Sequence, residues 1–376
     1  MRTSLHLAGL LAALSSLGGC YVNPVNGEEG NFAFAGPSAA ALGESLPLRV
    51  AHDTRHLELC GKSDCGDLLP GVAAITDVLG VDSDVAGCTV SAAAVSGGAV
   101  PVTVACPAAA RPTVRVRARL SDGSELEDKY QVAFVAAARV GVYCQTWQHC
   151  GGRYGLFAGA NVDLYVHAEA DDGTALYTSK VDVAIDADSV TIADNPSESG
   201  QTSDAWVGPI HVSADRMYPS WILATSMVHP GRANVTLTAG GASRVLTLNV
   251  ADSNDVVDAK LMNPPTTGWD WSGANQYRDI DQESADPFAQ DHFTVGGDPL
   301  HAELLLTLGD GTQAWGGADF VTIDEGGPLY IYSTDSPTWS NSAVDASPEK
   351  PGTAHLHFKA PNATRDWTFV VDPKHR

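Results

Sequence analysis

Seven cysteines are the residues of this chain best suited to covalent chemistry. One lies near the start, and the seven positions are Cys20, Cys60, Cys65, Cys88, Cys106, Cys144 and Cys150. A cysteine can be acylated, can pair with a second cysteine, or can bind a metal ion as its thiolate. The compartment decides between these outcomes, because structural disulfides persist in an oxidising environment.

The first twenty residues indicate that compartment. Arg2 precedes an apolar run over residues 5–17, which is typical of a secretory signal and too short to span a bilayer as a helix. The run ends in Leu17-Gly18-Gly19-Cys20, which resembles the lipobox of bacterial lipoproteins. The resemblance implies a signal peptide over 1–19, acyl chains on Cys20 and a lipid anchor in the cell envelope. In Gram-negative lipoproteins a residue other than Asp after the lipidated cysteine favours the outer membrane, so the resemblance implies that location for a chain with Tyr21. An ordinary secretory signal with an incidental cysteine is the alternative.

An acylated Cys20 leaves six cysteines, an even number, in an oxidising compartment. Local spacing favours the pairs Cys60–Cys65, Cys88–Cys106 and Cys144–Cys150, although other connectivities remain open. The alternative is a metal site at Cys144, His149 and Cys150, whose spacing matches no zinc pattern. We therefore predict disulfides and no metal site.

The charge balance excludes one class of partner. The chain has 22 Lys and Arg against 45 Asp and Glu, a net charge of −23. A nucleic-acid-binding protein needs the opposite sign to neutralise phosphates. We predict no nucleic-acid partner, and no second apolar run approaches the length of a transmembrane helix.

Short alternating runs separated by Gly, Asp, Asn and Pro predict β-strands throughout. Residues 111–135, 230–250 and 351–371 each read as strand, turn, strand. One face of each first strand is apolar and the other polar, and the apolar faces are Val114, Val116, Ala118 and Leu120, then Val235 and Leu237, then Ala354, Leu356 and Phe358. Residues 68–79 are the one place where a helical turn is expected.

An upstream half also recurs, with Asp-Gly-Thr turns at 172–174 and 310–312. The pattern divides the chain into a lipidated Cys20 with its tether (20–30), unit one (31–138), unit two (139–251) and unit three (252–376). These turns, the Gly-x-x-(x)-Leu openings and the Pro-Gly strand starts at 230 and 351 resemble those of bacterial lipoproteins and adhesins with tandem Ig-like domains. The resemblance implies an all-β chain of Ig-like β-sandwiches with structural, adhesive or ligand-presenting roles, and it carries over no catalytic residue.

The sequence contains no nucleophile elbow, zinc-protease motif or phosphate-binding loop. We predict that the chain is not an enzyme, although a hydrolase assembled from distant residues stays open. His355 and His357 share a strand face, where a solvated surface is expected rather than a metal site. Calcium at a domain junction is a further possibility, based on the acid pairs Asp82/Asp84, Asp171/Asp172, Asp186/Asp188, Asp252/Asp255 and Asp279/Asp281.

Residues 263–292 contain no obvious strand pattern, and we predict a long Trp-rich loop there in unit three. Its Trp269, Trp271 and Tyr277, with Trp315 farther on, are candidates for stacking against a sugar or a protein surface. The alternative is that Trp269 and Trp271 fold back over the sandwich as a satellite core.

We therefore predict a non-enzymatic envelope lipoprotein in adhesion, scaffolding or ligand presentation, with a surface protein or polysaccharide as partner. A glycan- or polymer-binding module is the first alternative, and a calcium-stiffened stalk is the second.

The lipobox generates the first testable prediction. The Cys20→Ser substitution removes the acylated atom, so we expect a protein that is released in soluble form or left unprocessed. Membrane fractionation beside the wild-type chain measures this. A Cys20→Ser protein that stays in the membrane fraction contradicts the anchor.

Overall fold

The computed structural model describes residues 25–54, 57, 73–145, 149–194, 207–213, 216–263, 277–282, 285–333 and 342–374. Within these residues the regular structure is β-strand, with short 3-10 turns at Ser253–Asp255, Ile280–Gln282 and Ala318–Phe320. The all-β prediction is confirmed. Cys60 and Cys65, and residues 68–72 of the expected helical turn, lie outside the described residues.

The strands are numbered in chain order. Up to residue 138 they are β1 (Val25–Asn26), β2 (Ala33–Ala35), β3 (Ala39–Ala41), β4 (Ser45–Ala51), β5 (Ile75–Ser83), β6 (Thr89–Ala92), β7 (Ala99–Ala105), β8 (Thr113–Leu120), β9 (Glu125–Gln131) and β10 (Ala133–Val135). Unit two contains β11 (Arg139–Gln145), β12 (Gly155–Phe157), β13 (Asn161–Glu169), β14 (Ala175–Leu176), β15 (Asp182–Ile185), β16 (Val190–Asp194), β17 (Val207–Ser213), β18 (Arg216–Met227), β19 (Gly231–Ala239) and β20 (Ala242–Ala251). Unit three contains β21 (Val256–Met262), β22 (Tyr277–Asp279), β23 (His292–Thr294), β24 (Leu300–Leu308), β25 (Gln313–Trp315), β26 (Val321–Ile323), β27 (Leu329–Ser333), β28 (Ala343–Pro348), β29 (Gly352–Ala360) and β30 (Ala363–Asp372).

Unit one is a sandwich of two antiparallel sheets. The sheet β1-β2-β4-β7-β6 and the sheet β5-β8-β9 contribute inward side chains to one core. Phe34 of the first sheet stacks on Tyr130 of the second, with ring centroids 5.0 Å apart. Residues 75–79 lie in β5, so the expected helical turn is wrong there. The register of β5 against β8 buries Ile75 opposite Leu120, and this tertiary pairing outweighs local propensity.

Units two and three share one sheet. Its order is β15-β19-β20-β12-β25-β24-β28-β27, with β21 beside β24. The part formed by β15, β19 and β20 shares a core with the sheet β16-β18-β13-β11-β22, and the part beyond β12 shares a core with β23-β30-β29-β26. The boundaries at residues 138 and 252 stay predictions, because side chains from both neighbours enter the core of unit two.

The predicted strand faces are confirmed in all three units. Val114, Val116 and Ala118 are fully buried, while the intervening Arg115 and Arg117 are exposed. Val235, Leu237, Ala354, Leu356 and Phe358 are buried in the same way. Each polar face is exposed to solvent, because successive side chains on a strand point to opposite sides of the sheet and only one side faces the core.

Three Asp-Gly turns share one hydrogen-bond pattern. The carboxylates of Asp122, Asp172 and Asp310 each accept the backbone N–H two residues later, at 2.9 Å. The glycines between have φ of 80–85°, which a side chain would strain. Hydrogen bonds from the following Ser or Thr, through its hydroxyl and its N–H, hold the pKa of each carboxyl below its usual range.

The tether prediction is wrong for residues 25–30. β1 pairs with β2, and the turn between them is held by Asp128 of β9. The fully buried Asp128 carboxylate accepts the N–H groups of Glu29, Asn31, Phe32 and Lys129 at 2.7–2.8 Å. A Cβ at Gly27 would lie 2.3 Å from this carboxylate. The folded part of the chain therefore begins by Val25, because Asp128 pairs with backbone donors far away in sequence.

Asp128→Asn tests this carboxylate. The amide replaces an acceptor oxygen with a donor facing backbone N–H groups, so we expect a loss of roughly 3 kcal/mol in the free energy of unfolding. Urea unfolding measures the loss, and hydrogen exchange should rise at residues 28–32. The control is Asp84→Asn, which alters an exposed carboxylate that accepts one N–H from Thr113. Equal stability of the two variants would show that Asp128 does not hold the turn.

Candidate functional site at the unit junctions

The predicted aromatic binding surface is not assembled by the described residues. Trp269 and Trp271 lie outside them, and Tyr277 is placed in β22 by its backbone alone. Trp315 is fully buried, so its prediction as a ligand-stacking residue is wrong. It lies on β25, where the ring is enclosed between His149 and Tyr154 of unit two. The residues with distinctive chemistry lie instead at the contacts between units.

The first junction joins units one and two through backbone hydrogen bonds. It consists of β3, β10, Glu44 and residues 177–179. The N–H of Ala41 donates to the carbonyl oxygen of Tyr177 at 3.0 Å, and the N–H of Tyr177 donates to Ala39 at 2.9 Å. The side chains also cross over: Ala39 and Ala41 pack in the core of unit two, and Tyr177 packs against the core of unit one.

A groove of about 270 Å³ opens beside the first junction. Arg111, Asp171 and Asp172 line it together with alanine and valine side chains. Arg111 also helps to hold the pKa of Asp172 below its usual range, after the larger effect of the hydrogen bonds from Thr174. The groove is therefore lined by small apolar side chains and by charges of both signs.

The second junction joins units two and three through β12. Leu156 pairs with Val250 of β20 on one side and with Trp315 of β25 on the other, in parallel register in both cases. A Cβ at Gly155 would lie 2.8 Å from the carbonyl oxygen of Asn249, and one at Gly316 would lie 2.9 Å from the Phe157 ring. Glycine is needed at both positions because the strands approach so closely.

A buried ionisable contact lies beside β12. His149 Nε2 contacts the Glu303 carboxylate of β24, and both residues are largely buried. The His149 ring also stacks on Trp315, with centroids 3.8 Å apart and an interplanar angle of 16°. Ser342 Oγ donates to Glu303 Oε2 at 3.5 Å. Removal of either residue would leave the other buried without its partner, which is costly. The contact therefore favours one position of unit three on unit two.

The predicted Cys88–Cys106 and Cys144–Cys150 disulfides are present. Cys144 is a buried residue of β11, and Cys150 follows His149 directly. The two sulfurs of the second pair are bonded to each other, so neither is a thiolate ligand for the alternative metal site. His149, which contacts unit three, is therefore next in the chain to a disulfide-bonded cysteine.

Residues 277–282 of the Trp-rich loop form a strap onto unit two. Its β22 pairs with β11, and Ile280 is fully buried in the core of unit two. Arg244 Nη2 of β20 lies 2.6 Å from Asp281 and 3.4 Å from Asp279. A Cβ at Gly152 would lie 2.5 Å from Ile280. Both Asp279 and Asp281, one of the predicted calcium pairs, thus pair with an arginine.

A buried polar network lies on the outer face of β11 and β13. The Glu169 carboxylate accepts hydrogen bonds from Tyr143 Oη at 2.9 Å, from His167 Nε2 at 3.0 Å and from Arg139 Nε. Glu169 and His167 are at most 1% exposed. Gly141 leaves room for the network, because a Cβ there would lie 2.2 Å from Glu169.

The network sets the ionisation of its members. Burial raises the pKa of Glu169, but the hydrogen bonds from His167, Arg139 and Tyr143 outweigh burial and lower it to about 2. Burial lowers the pKa of His167 below its usual value, despite the opposing effect of Glu169. A neutral His167 therefore donates to an ionised Glu169. Three hydrogen-bond donors from the fold stabilise the charged form of this carboxylate although it is buried.

The histidines of unit three lie on wet faces beside carboxylates. His357 Nδ1 is 2.7 Å from Asp366 and Nε2 is 3.1 Å from Asp324. Hydrogen bonds to Asp366 and Asp324 raise the pKa of His357, and a hydrogen bond to Asp345 raises that of His301. His355 lies 3.1 Å from the Thr368 hydroxyl. Within the described ranges, no three His, Cys, Asp or Glu side chains converge as metal ligands. Calcium binding stays a prediction.

The sequence patterns single out neither Asp128 nor Glu169 nor Glu303, and they indicate His149 only as a ligand of the metal site that the disulfide excludes. One signal was present for Glu169: the alternation in β13 continues past Val166 and places His167 and Glu169 on the face expected to be wet. Their burial depends on strands that are distant in sequence. No local pattern marks Glu303, which lies within the apolar β24.

Comparison with protein-family models and with curated proteins finds no match. Among solved structures, the surface-layer protein SbsC is 13% identical with a TM-score of 0.31, and the match covers 94% of this chain and 38% of SbsC. The Escherichia coli adhesin FdeC is 10% identical with a TM-score of 0.23, covering 89% and 94%. Invasin, a bacterial integrin-binding protein, is 12% identical with a TM-score of 0.20, covering 91% and 60%. Likeness this weak carries no argument about function.

Among the described residues, no helix has the length and apolar character needed to cross a membrane.

The Glu169 network generates a pH prediction. The folded pKa of about 2 lies below the ordinary 4.5, so Glu169 stabilises the fold above pH 4.5 and this contribution is lost as pH falls toward 2. We expect Glu169→Gln to be on the order of 3 kcal/mol less stable than wild type at pH 7, and nearly equal to it at pH 2. Urea unfolding across this pH range measures the difference.

Glu325→Gln is the control, because Glu325 is an exposed carboxylate in a turn of unit three. Its difference from wild type should stay near zero throughout. The lowered pKa of His167 also costs stability below pH 6.5, and we expect Glu169→Gln to keep this part of the profile. A Glu169→Gln difference that does not shrink in acid contradicts the network as described.

Proposed function

We propose that this chain is a non-enzymatic, lipid-anchored surface protein that acts as a stiff spacer in adhesion, scaffolding or ligand presentation. The observation that carries the proposal is that both unit junctions are built from paired backbone. A spacer must resist bending, and strand pairing with shared cores resists it better than a free linker does.

The extent of the shared cores supports stiffness. Met262, Ile280, Leu305 and Trp315 pack in the core of unit two although they lie beyond residue 252. Separating units two and three would expose these side chains, at a cost of about 25 cal/mol for each Å² of apolar surface. Docking is therefore favoured by the hydrophobic effect as well as by hydrogen bonds.

The buried ionisable groups support a structural role over catalysis. Glu169 meets three donors from its own fold, and Glu303 meets His149 and Ser342. A catalytic carboxyl group must reach a substrate, whereas these two are enclosed between strands. Anchoring at Cys20 in the outer membrane belongs to this proposal and rests on the lipobox resemblance.

The alternative of a glycan-binding module loses one of its four aromatic residues, because Trp315 is enclosed. It depends on Trp269, Trp271 and Tyr277. The calcium-stiffened stalk loses the pair Asp279 and Asp281, which Arg244 engages. It also does not need calcium as the source of stiffness, because strand pairing can supply it.

Hydrogen exchange on the full chain tests the stiff spacer. Amides of Ala39–Ala41 at the first junction and Gly155–Phe157 at the second should exchange as slowly as those of the β19–β20 hairpin. The reason is that each junction opens only when shared core is exposed.

The exposed Asp171–Gly173 turn serves as the fast-exchanging reference. Junction amides that exchange as fast as this turn would show units that move independently, and the spacer proposal would then be wrong. Slow exchange at one junction alone would confine the stiff part to the two units it joins and contradict a spacer of three units.

A further inference from the structure

The groove beside the first junction is bounded by both units. Unit one contributes Arg111 and side chains of β3 and β10, and unit two contributes the turn at residues 170–174. All of the lining residues belong to the described part of the chain. The space of about 270 Å³ is open because its apolar lining is small, namely Ala39, Ala133, Val135, Ala136 and Ala170. A molecule bound here contacts both units at once.

Two charged side chains in the groove have no ion-pair partner among the described residues. Arg111 of unit one and Asp171 of unit two are both exposed, and neither side chain forms a salt bridge or a hydrogen bond. Asp172 differs, because its carboxylate accepts the N–H of Thr174 at 2.9 Å. The groove therefore offers one free cation and one free anion, which come from different units.

We propose that this groove binds a small aliphatic zwitterion, a molecule in which a primary ammonium group and a carboxylate are joined by a short methylene chain. The ligand carboxylate pairs with the Arg111 guanidinium, the ammonium pairs with the Asp171 carboxylate, and the methylene chain covers the alanine and valine side chains. This goes beyond the proposed function, because it adds a ligand site to the spacer and makes the first junction respond to that ligand.

The charges of the groove select a zwitterion over a simple ion. A guanidinium group is a planar fork of donors that matches a carboxylate, and a carboxylate accepts hydrogen bonds from an ammonium group. A simple anion would meet Arg111 but would be repelled by Asp171 and Asp172. A simple cation would meet the two acids but would be repelled by Arg111. Only a ligand with both charges gains from both ends of the site.

The affinity depends on the charges and on the chain together. Both ion pairs are exposed to water, so each one contributes little by itself. Each methylene group that leaves water tightens binding by up to about fourfold. We expect a dissociation constant on the order of 1 mM, and we expect the loss of any one part of the ligand to weaken binding.

The ligand couples to the first junction because its two charged partners lie on different units. It binds the docked form and loses one partner when the units separate. A ligand of this kind suppresses opening by a factor of one plus the ratio of its free concentration to its dissociation constant. The amides of Ala41 and Tyr177 report on opening, because they form the backbone hydrogen bonds between the units.

The experiment is hydrogen exchange on the full chain with δ-aminovalerate as the probe. At about ten times the dissociation constant, we expect exchange at the Ala41 and Tyr177 amides to slow by about tenfold. The β29–β30 hairpin of unit three should keep its rate. Valerate and pentylamine each carry one of the two charges, and at the same concentration they should slow the junction by less than about twofold.

Ala136→Leu is the blocking variant. Ala136 is exposed and lines the groove, so a leucine there fills the site without entering the core. We expect this variant to keep the wild-type exchange rates without ligand and to lose the response to δ-aminovalerate. Ala138→Leu is the matched control, because it makes the same change at an exposed alanine that does not line the groove. It should respond as the wild type does.

Two further variants remove one charge each. Asp171→Asn and Arg111→Gln should reduce the response to δ-aminovalerate to that of the ligands with one charge. Asp122→Asn is their control, because it changes the carboxylate of the corresponding Asp-Gly turn in unit one. The control should keep the full response.

Three results overturn the site. The first is unchanged junction exchange in wild type with δ-aminovalerate, and the second is an equal slowing by valerate or by pentylamine, which would show that one charge suffices. The third is a slowing that persists in Ala136→Leu, which would place the ligand elsewhere. The spacer proposal is tested separately, by the exchange rates of the junctions without any ligand.

Discussion

The backbone pairing of β12 on both of its edges is the constraint on which units two and three depend. The three residues of β12 form the strand between β20 and β25 in the shared sheet. Without β12, each of those two strands would have one unpaired edge. Unpaired buried N–H and C=O groups are costly, and bare edges invite pairing with other chains. In this protein β12 pairs with both edges and so joins unit two to unit three. Glycines at 155 and 316 let the backbones come close enough.

Three buried acids hold the structure together in a chain whose net charge is −23. Asp128 binds the first turn through four backbone N–H groups, Glu169 joins β11 to β13, and Glu303 meets His149 across the second junction. A buried carboxylate is tolerated only where donors surround it. Each of these residues therefore specifies one arrangement of distant segments, whereas the many exposed acids contribute mainly solubility.

The array differs from independent modules joined by linkers. Side chains are exchanged at the first junction, and the strap carries Ile280 of unit three into the core of unit two. Residues 277–282 of the predicted Trp-rich loop of unit three therefore attach to unit two. Bending at such a junction would separate apolar surfaces and break hydrogen bonds between strands, and this is the physical basis of the proposed stiffness.

The sequence by itself determined the strands of the three recurring hairpins, their buried faces and the Asp-Gly turns, because these depend on period-two alternation and on residues two or three positions apart. It also indicated the Cys88–Cys106 and Cys144–Cys150 pairs from local spacing. Tertiary structure alone decided that residues 75–79 form a strand, that residues 25–30 belong to the fold, and that Trp315 is enclosed. It likewise brought His149 to Glu303, about 150 positions away in the chain. Contacts at such distances arise from which sheet edges meet, and no local pattern of side chains encodes that choice.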